Sequence, residues 1–547
     1  MSAVATFDRY WQTLRHLRAE QVIGRVRHRF MPARPRLTAA MAVRRGARDA
    51  SWIVRPRSML APDRFEFLGE TRDIGSATAW SDPATPLLWL YNLHYFDVLG
   101  SPTALERPEW IDPLIARWVA ENPPGAKPAW DPYPSSLRIV NWIKRDLSGS
   151  PLPLVAVESL SQQVQWLDAR IEWHLLGNHL FANAKALWFA GHFFKGPEAD
   201  GLLRRAIDIL ARELDEQVPP DGFHFERSPM YHAIIQEDVL DMIAISRALP
   251  CGTAVPMRDR LIEVARRMTR ALSAMTHPDG DHAFFNDAAI GISATRGELD
   301  VYARGVLCED VAEEIGSGLR VLPDAGYVRA RRGGATVFFD AAPVGPNYLP
   351  GHAHADTLSL ELSLGHERVI VNGGTSCYGS DAERLRQRGT AAHSTVIVDG
   401  RDSSEVWSGF RVARRARPFD LTIEETGESC VVACSHDGYR RLPGRPVHRR
   451  GWQLRDGSLS IEDRVTSAHA HHAVANYLLH PDIAVERQND ATWQLRLVSG
   501  RCVTLGVSMG RAELGDAIWA PRFGVRIVTR RLVVTAQGGC ACIRLRW

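Results

Sequence analysis

The periodicity of the apolar residues changes once along this chain, and that change limits it to a two-part architecture. From 155 to 320 the apolar residues recur at helical spacing, in runs over 155–172, 176–194, 201–216, 231–248 and 257–276. Short breaks such as Pro219-Pro220-Asp221-Gly222 separate the runs. A larger break falls at 321–326, Val-Leu-Pro-Asp-Ala-Gly. Beyond it come short alternating or β-branched segments, among them Tyr327–Arg331, Ala335–Phe339, Thr357–Leu364, Val369–Val371, Ser394–Val398 and Val431–Cys434. Leu459–Glu462, Val503–Val507 and Arg531–Thr535 continue the pattern. Closely spaced turns between such segments are the mark of a β-sandwich. With 547 residues the chain also exceeds what one hydrophobic core organises. The expected division is a helical and irregular lead-in over 1–85, a helical domain over 86–320 and an antiparallel β-sandwich over 321–547.

Within the lead-in, residues 7–30 form an amphipathic helical pattern through Trp11, Leu14, Leu17, Val22 and Val26. Arg25, Arg27 and Arg29 interleave with it, as on a surface helix that meets an anionic partner. Over the whole chain 66 basic residues face 63 acidic ones, a net +3, which lacks the basic footprint of a nucleic-acid binder. No apolar stretch reaches the ~18 residues that cross a bilayer, so no integral membrane segment is expected. Residues 1–30 lack the parts of a secretory signal, so a cytoplasmic location is expected. Eight scattered cysteines form no CxxC pair and are expected reduced.

Chemistry concentrates in four places. Gly351-His352-Ala353-His354-Ala355-Asp356 precedes an alternating run, and two imidazoles at i and i+2 share a face if the backbone is extended. On the helix at 176–194, Asn178, Ala182 and Lys185 share one face and His179, Asn183 and Ala186 the next, an arrangement suited to lining a cleft. A loop-to-helix junction carries Glu226, Arg227, Tyr231 and His232, offering an acid or base and charges to orient it. His393 enters a further β segment after Arg388; with His354 and Asn372 it could approach a metal. Aromatic-rich stretches at 88–96 and 130–138 add His94, Trp130, Tyr133 and Arg138, side chains suited to stacking on sugar rings.

Taken together these motifs resemble the heparinase II/III-like family of polysaccharide lyases. The resemblance runs from Leu90-Tyr91-Asn92-Leu93-His94-Tyr95-Phe96-Asp97 and Tyr133-Pro134-Ser135-Ser136-Leu137-Arg138 through Gly177-Asn178-His179-Leu180-Phe181-Ala182-Asn183. It continues through Phe225-Glu226-Arg227-Ser228-Pro229-Met230-Tyr231-His232 and the His352 motif to Thr390-Ala391-Ala392-His393-Ser394-Thr395. It implies an incomplete α/α toroid followed by an antiparallel β-sandwich, with the active cleft between them. The reaction it implies is β-elimination on a uronate polysaccharide, an anionic substrate, with no cofactor required.

By that resemblance Tyr231 is the acid at the leaving oxygen, His352 the base or its partner, and Asn178 or His179 the holder of the sugar carboxylate. Arg227 adds positive charge for the polymer, with Arg388 and Arg138 as further candidates. His354 and His393 resemble ligands of a structural zinc. Two departures stand out: Ala182 where many relatives have Glu, and Asn372 where zinc-binding relatives have Asp. A non-catalytic polysaccharide-binding or assembly protein on the same fold is the alternative. A glycoside hydrolase would need two carboxylates across the bond, for which Glu226 and Asp287 are the nominees.

Overall fold

The computed structural model describes residues 3–30, 37–44, 46, 49–311 and 316–547. The end of the helical stretch expected to run to 320 therefore lies partly outside the described residues, at 312–315.

The helices of the first half form a double layer, an incomplete α/α toroid, and sequence decides which helix goes where. Gly177–Phe193 is apolar on nearly all sides, and almost every residue in it is buried. A helix without a polar face can only sit inside. It packs between Pro132–Leu147 and Pro229–Ala248, both also largely buried. Leu154–Asp168, Pro197–Gln217 and Val255–Ala274 pack outside them; the last two keep an exposed charged face. The amphipathic pattern at 7–30 resolves into two helices, Ala3–Leu14 and Ala19–Phe30. The irregular stretch after residue 50 holds a small sheet of Met59–Ala61, Arg64–Phe67 and Glu70–Asp73.

The second half is two antiparallel sheets face to face. One has nine strands and runs in order Arg511–Trp519, Ile527–Thr535, Ala473–Leu479, Glu367–Val371, Leu360–Leu364, Ala335–Asp340, Tyr327–Arg332 and Gly318–Leu322. Val396–Val398 also pairs with Ala473–Leu479. The other has eight strands from Pro418–Glu425 to Ala484–Asn489 in space. Side chains alternate: in Val447–Arg455 the buried positions are His448, Arg450, Trp452 and Leu454, each pointing between the sheets. The first strand begins at Gly318, ahead of the break read from sequence.

Two cores result, one among the helices and one between the sheets. A third, smaller cluster joins them: Met230 and Tyr231 from the helices meet Val371, Leu478, Trp519 and Phe523 from the sheets. The irregular segment after Val255–Ala274 runs along this seam, carrying Phe284, Asn286 and Asp287. One expectation fails here. Residues 351–359 are turns rather than an extended strand, and pairing starts only at Leu360.

Candidate active site

The site is built around Asp287, which is fully buried at the seam. Its Oδ2 accepts from His352 Nδ1 at 3.0 Å and its Oδ1 from His354 Nε2 at 2.9 Å. The turn at 351–359 thus does what an extended strand would not: it converges two imidazoles on one carboxylate. Arg384, from the short helix Ala382–Arg388, closes the other side, with Nη2 donating to Oδ2 at 2.8 Å and Nη1 to Oδ1. Burial alone would raise this carboxyl, but Arg384 and the two histidine hydrogen bonds outweigh it and hold the group well below the usual carboxylate range. An ionised carboxylate only accepts, so both histidines present it with N–H. That fixes His352 as the Nδ1–H tautomer and leaves its Nε2 free to take a proton.

The backbone that aims these groups is bent on purpose. Arg227 and Asn286 both adopt left-handed φ, 59° and 58°, which costs about 1 kcal/mol or more each for residues with a Cβ. The strain is held by hydrogen bonds. The Arg227 carbonyl accepts from Asn286 Nδ2 at 2.9 Å and from the Tyr327 hydroxyl at 2.6 Å. Asn286 in turn donates its N–H to Asp356 at 2.8 Å and accepts from His354 N at 3.0 Å. Ser228 caps the helix Pro229–Ala248 by accepting from Tyr231 N at 3.1 Å, which fixes Tyr231 one turn in.

Tyr231 lies against His352, ring centroids 3.8 Å apart. Its hydroxyl is 3.1 Å from that of Tyr378, whose ring lies under the Arg384 guanidinium. Burial, followed by the neighbouring Tyr378, pushes the Tyr231 phenol well above its ordinary range, so it is a protonated acid at neutral pH. Glu226 stands 3.4 Å from His352 Nε2 and accepts the Asn178 N–H at 3.1 Å. A carboxylate at a helix N-terminus is favoured by the unpaired N–H groups there. A side chain at Gly177 would collide with Leu349 and Glu226, so glycine permits this approach. Burial raises the Glu226 carboxyl, partly offset by His352. His179 bonds Glu172 at 3.3 Å and lies against Tyr133, centroids 4.5 Å apart. Burial works against its charge, but the Glu172 carboxylate outweighs that and raises its pKa.

Tyr231, His352, Asn178, His179 and Tyr133 are thus brought together. The other sequence candidates are not. His94 is fully buried, bonded to the Trp80 carbonyl and the Trp118 indole. Arg138 lies over the Trp118 ring and donates to Gln163, Ser135 and the His94 carbonyl. Trp130 donates to the Asn122 carbonyl from the same aromatic core. His232 is sealed between His224 N and the Met268 carbonyl. Arg388 donates to the carbonyls of Ala353 and Ser408, holding the histidine turn rather than a polymer. Arg227 ties down Ala325 and Asp324 across the seam. Lys185 sits among Asp238 and Asp241, at 2.6 and 2.5 Å. Packing took these polar side chains because each found its hydrogen bonds inside. Tyr378 and Arg384 are the residues sequence reasoning missed. Arg384 is one of three arginines in the polar run Asp381–Arg388 and nothing local marks it out; only the fold brings it and Tyr378 to Asp287 and Tyr231.

His354, Asp356 and His393 form a buried group whose ligand atoms lie within 4.8 Å of one another, a set that can hold a metal. Asp356 replaces the expected Asn372, whose amide is engaged with Ser394 N at 3.0 Å and Ser359 Oγ at 3.3 Å. The donor set fits. His354 gives its Nε2–H to Asp287, leaving the Nδ1 lone pair facing His393 Nε2 at 3.2 Å. Two imidazole nitrogens on a tetrahedral zinc stand about 3.3 Å apart, given bonds of 2.0–2.1 Å. No hydrogen-bond partner reaches His393 Nδ1. A proton carried on that nitrogen leaves the Nε2 lone pair turned inward, toward His354 Nδ1. The carboxylate–histidine arrangement behind His354 is what orients metal-bound imidazoles elsewhere.

A helical region followed by antiparallel β-sheets is the fold of heparinase III. A solved heparinase III gene product superimposes with a TM-score of 0.65, covering 86% of this chain and 81% of that one at 16% identity. Two family models match in order: heparinase II/III N-terminus over residues 150–303 and heparinase II/III-like, C-terminal, over 314–547. The chain belongs to the heparinase II/III-like family. A heparin-sulfate lyase of Bacteroides stercoris is 23% identical over 309 residues, 52% of this chain and 45% of its own length. FtsZ-localized protein C of Caulobacter vibrioides is 28% identical over 256 residues, 46% of this chain and 41% of its own. The chain spans less than half the length of these relatives.

Proposed function

We propose that this chain is a lyase that cuts a uronate-containing acidic polysaccharide by β-elimination. One observation carries it: a protonated phenol, Tyr231, packed on an imidazole, His352, whose tautomer a buried ionised aspartate fixes. Elimination needs a base at C5 and an acid at O4 of the same sugar, each within hydrogen-bond reach. His352 Nε2 takes the C5 proton, the C5–H electrons form the C4=C5 double bond, and the C4–O4 bond breaks. The Tyr231 hydroxyl gives its proton to the departing oxygen, with Tyr378 positioned to orient that hydroxyl. The intermediate is enolate-like, so its carboxylate must be stabilised; Asn178 and the raised-pKa His179 face that task.

The hydrolase alternative finds less support. Glu226 and Asp287 both lie against the single His352 ring, and Asp287, clamped by Arg384, cannot supply a proton near neutral pH. A zinc held by His354, Asp356 and His393 would brace the turn that carries His352. The relative named heparin-sulfate lyase makes heparan sulfate the first polymer to test. Ultraviolet absorbance of the conjugated unsaturated uronate, followed over a panel of uronate polymers, tests the proposal. A rise abolished in Tyr231→Phe supports it. New reducing ends without absorbance would assign a hydrolase, and binding without either would assign the non-catalytic alternative.

A further inference from the structure

The first two helices, Ala3–Leu14 and Ala19–Phe30, carry apolar stripes that are exposed among the described residues. Among the described residues, eight of the twenty-three exposed large apolar side chains lie here, at 43–74% exposure. In the first helix Phe7, Trp11 and Leu14 follow i, i+4, i+7 spacing. In the second Val22, Val26 and Phe30 follow i, i+4, i+8, with Ile23 beside them.

Both helices are fixed to the body by the opposite face, so the stripes point outward. Thr13 accepts from the Trp407 indole at 3.1 Å, Tyr10 packs on that ring at 5.0 Å, and Asp8 pairs with Arg414. In the second helix Gln21 donates to the Tyr348 carbonyl at 3.3 Å and His28 stacks on His174 at 4.5 Å. Gly24 lies so close to His174 that a Cβ there would stand 2.9 Å from its backbone nitrogen. On the helical wheel Arg25 and Arg29 then flank the outward stripe on one side and Arg27 on the other. Residues 1–30 hold six arginines against one aspartate and one glutamate, although the whole chain is nearly neutral.

We propose that this helix pair is a docking surface for an anionic lipid bilayer, lying in the interface plane. An apolar face of Trp, Phe and Leu sinks below the headgroups while arginines on both flanks reach the phosphates. No described helix is long and apolar enough to cross a membrane. Trp407, which the first helix grips, belongs to the hairpin Val406–Val412 that also carries Phe410, 6.3 Å from the His352 ring. Docking therefore sets the mouth of the seam site beside the bilayer.

Co-sedimentation of the full chain with vesicles of phosphatidylcholine alone, and of phosphatidylcholine with phosphatidylglycerol, tests this. The chain should pellet with the anionic vesicles and release in high salt. The triple variant R25E/R27E/R29E should weaken that binding by about a hundredfold or more, at ~1 kcal/mol per lost arginine. W11E/F30E should abolish it while leaving the unfolding midpoint unchanged, because both side chains are exposed. A chain that stays in solution with both vesicle types overturns the proposal. So does a dimer in solution that W11E/F30E dissociates, which would assign the stripes to a second copy.

Discussion

The protein builds the same cluster twice, and only one copy opens on solvent. At the seam, Asp287 holds His352, His354 and Arg384. Between the two sheets, Asp463 accepts from His448 Nε2 at 2.8 Å, Arg450 Nε at 2.7 Å and the Tyr477 hydroxyl at 2.8 Å. Burial opposes the charge of Asp463, and Arg450 with His448 outweighs it, as at Asp287. Each cluster even continues to a second imidazole, His354 to His393 at 3.2 Å and His448 to His436 at 3.1 Å. The ends differ. His436 Nδ1 accepts from Gly438 N at 3.1 Å, so protons alone satisfy every nitrogen of that chain. At His393 the corresponding nitrogen finds no donor, and a third ligand, Asp356, stands by. The sandwich cluster is sealed throughout, whereas His352 is partly exposed beside Tyr231 and Tyr378. The same residue types make a fastener where every atom is satisfied and enclosed, and a reactive group where one atom is left open.

The largest effect that could break this contrast is on turnover. Under the proposed elimination, Tyr231→Phe and His352→Ala should each lower turnover by about 10²–10⁴-fold, read as ultraviolet absorbance of the unsaturated product. His448→Ala should leave turnover per folded molecule unchanged. If it lowers turnover as far as His352→Ala does, the two clusters are not distinct in role.

Stability should then treat the two alike. Arg384→Ala and Arg450→Ala each strand a buried aspartate charge and should cost about 3–5 kcal/mol in urea unfolding. Of the pair only Arg384→Ala should also slow the proposed elimination by the folded chain, because Asp287 then orients His352 less firmly. Equal slowing would erase the distinction.

Zinc sharpens the difference at the second imidazole. Equilibrium dialysis should find one ion per chain, absent in His393→Ala and retained in His436→Ala. Free zinc at ~100 times its Kd should add about 2.7 kcal/mol to the unfolding free energy. Binding lost equally in both variants would contradict the fit at His354, Asp356 and His393.

The effect that is smallest per unit of the variable changed comes from histidines the packing absorbed. Burial lowers His94 to about 3 and His232 to about 4. Both are neutral when folded, and the unfolded chain takes up their protons below about pH 6.5. Stability is therefore full above that pH and falls toward pH 4, by up to ~1.4 kcal/mol per pH unit for each histidine. Urea midpoints from pH 7 to 4.5 check the slope, which should flatten in His232→Asn. An unchanged slope would return His232 to the solvent side of the comparison.

Much of this was legible beforehand. The change of apolar period placed helices before strands, because each secondary structure writes its own spacing into the side chains it buries. Tyr231 and His352 were named from local motifs, and their rings meet. The aromatic stretch around Trp130 read equally well as core or as a sugar platform, since a tryptophan that stacks on a sugar and one that stacks on Trp118 look identical in sequence. Asp287 was noticed but given hydrolytic work; its grip on two histidines depends on a turn just ahead of the strand that local alternation marked.

By itself, then, the sequence determined the two layers, their order and the helix start that carries Tyr231. Those follow from interactions between near neighbours in the chain. Tertiary structure alone decided which polar groups face solvent, that Arg384 and Tyr378 complete the seam site, and that Asp356 rather than Asn372 joins the two histidines. Burial and hydrogen-bond satisfaction are set by whatever packs from afar, and no spacing along the chain records that.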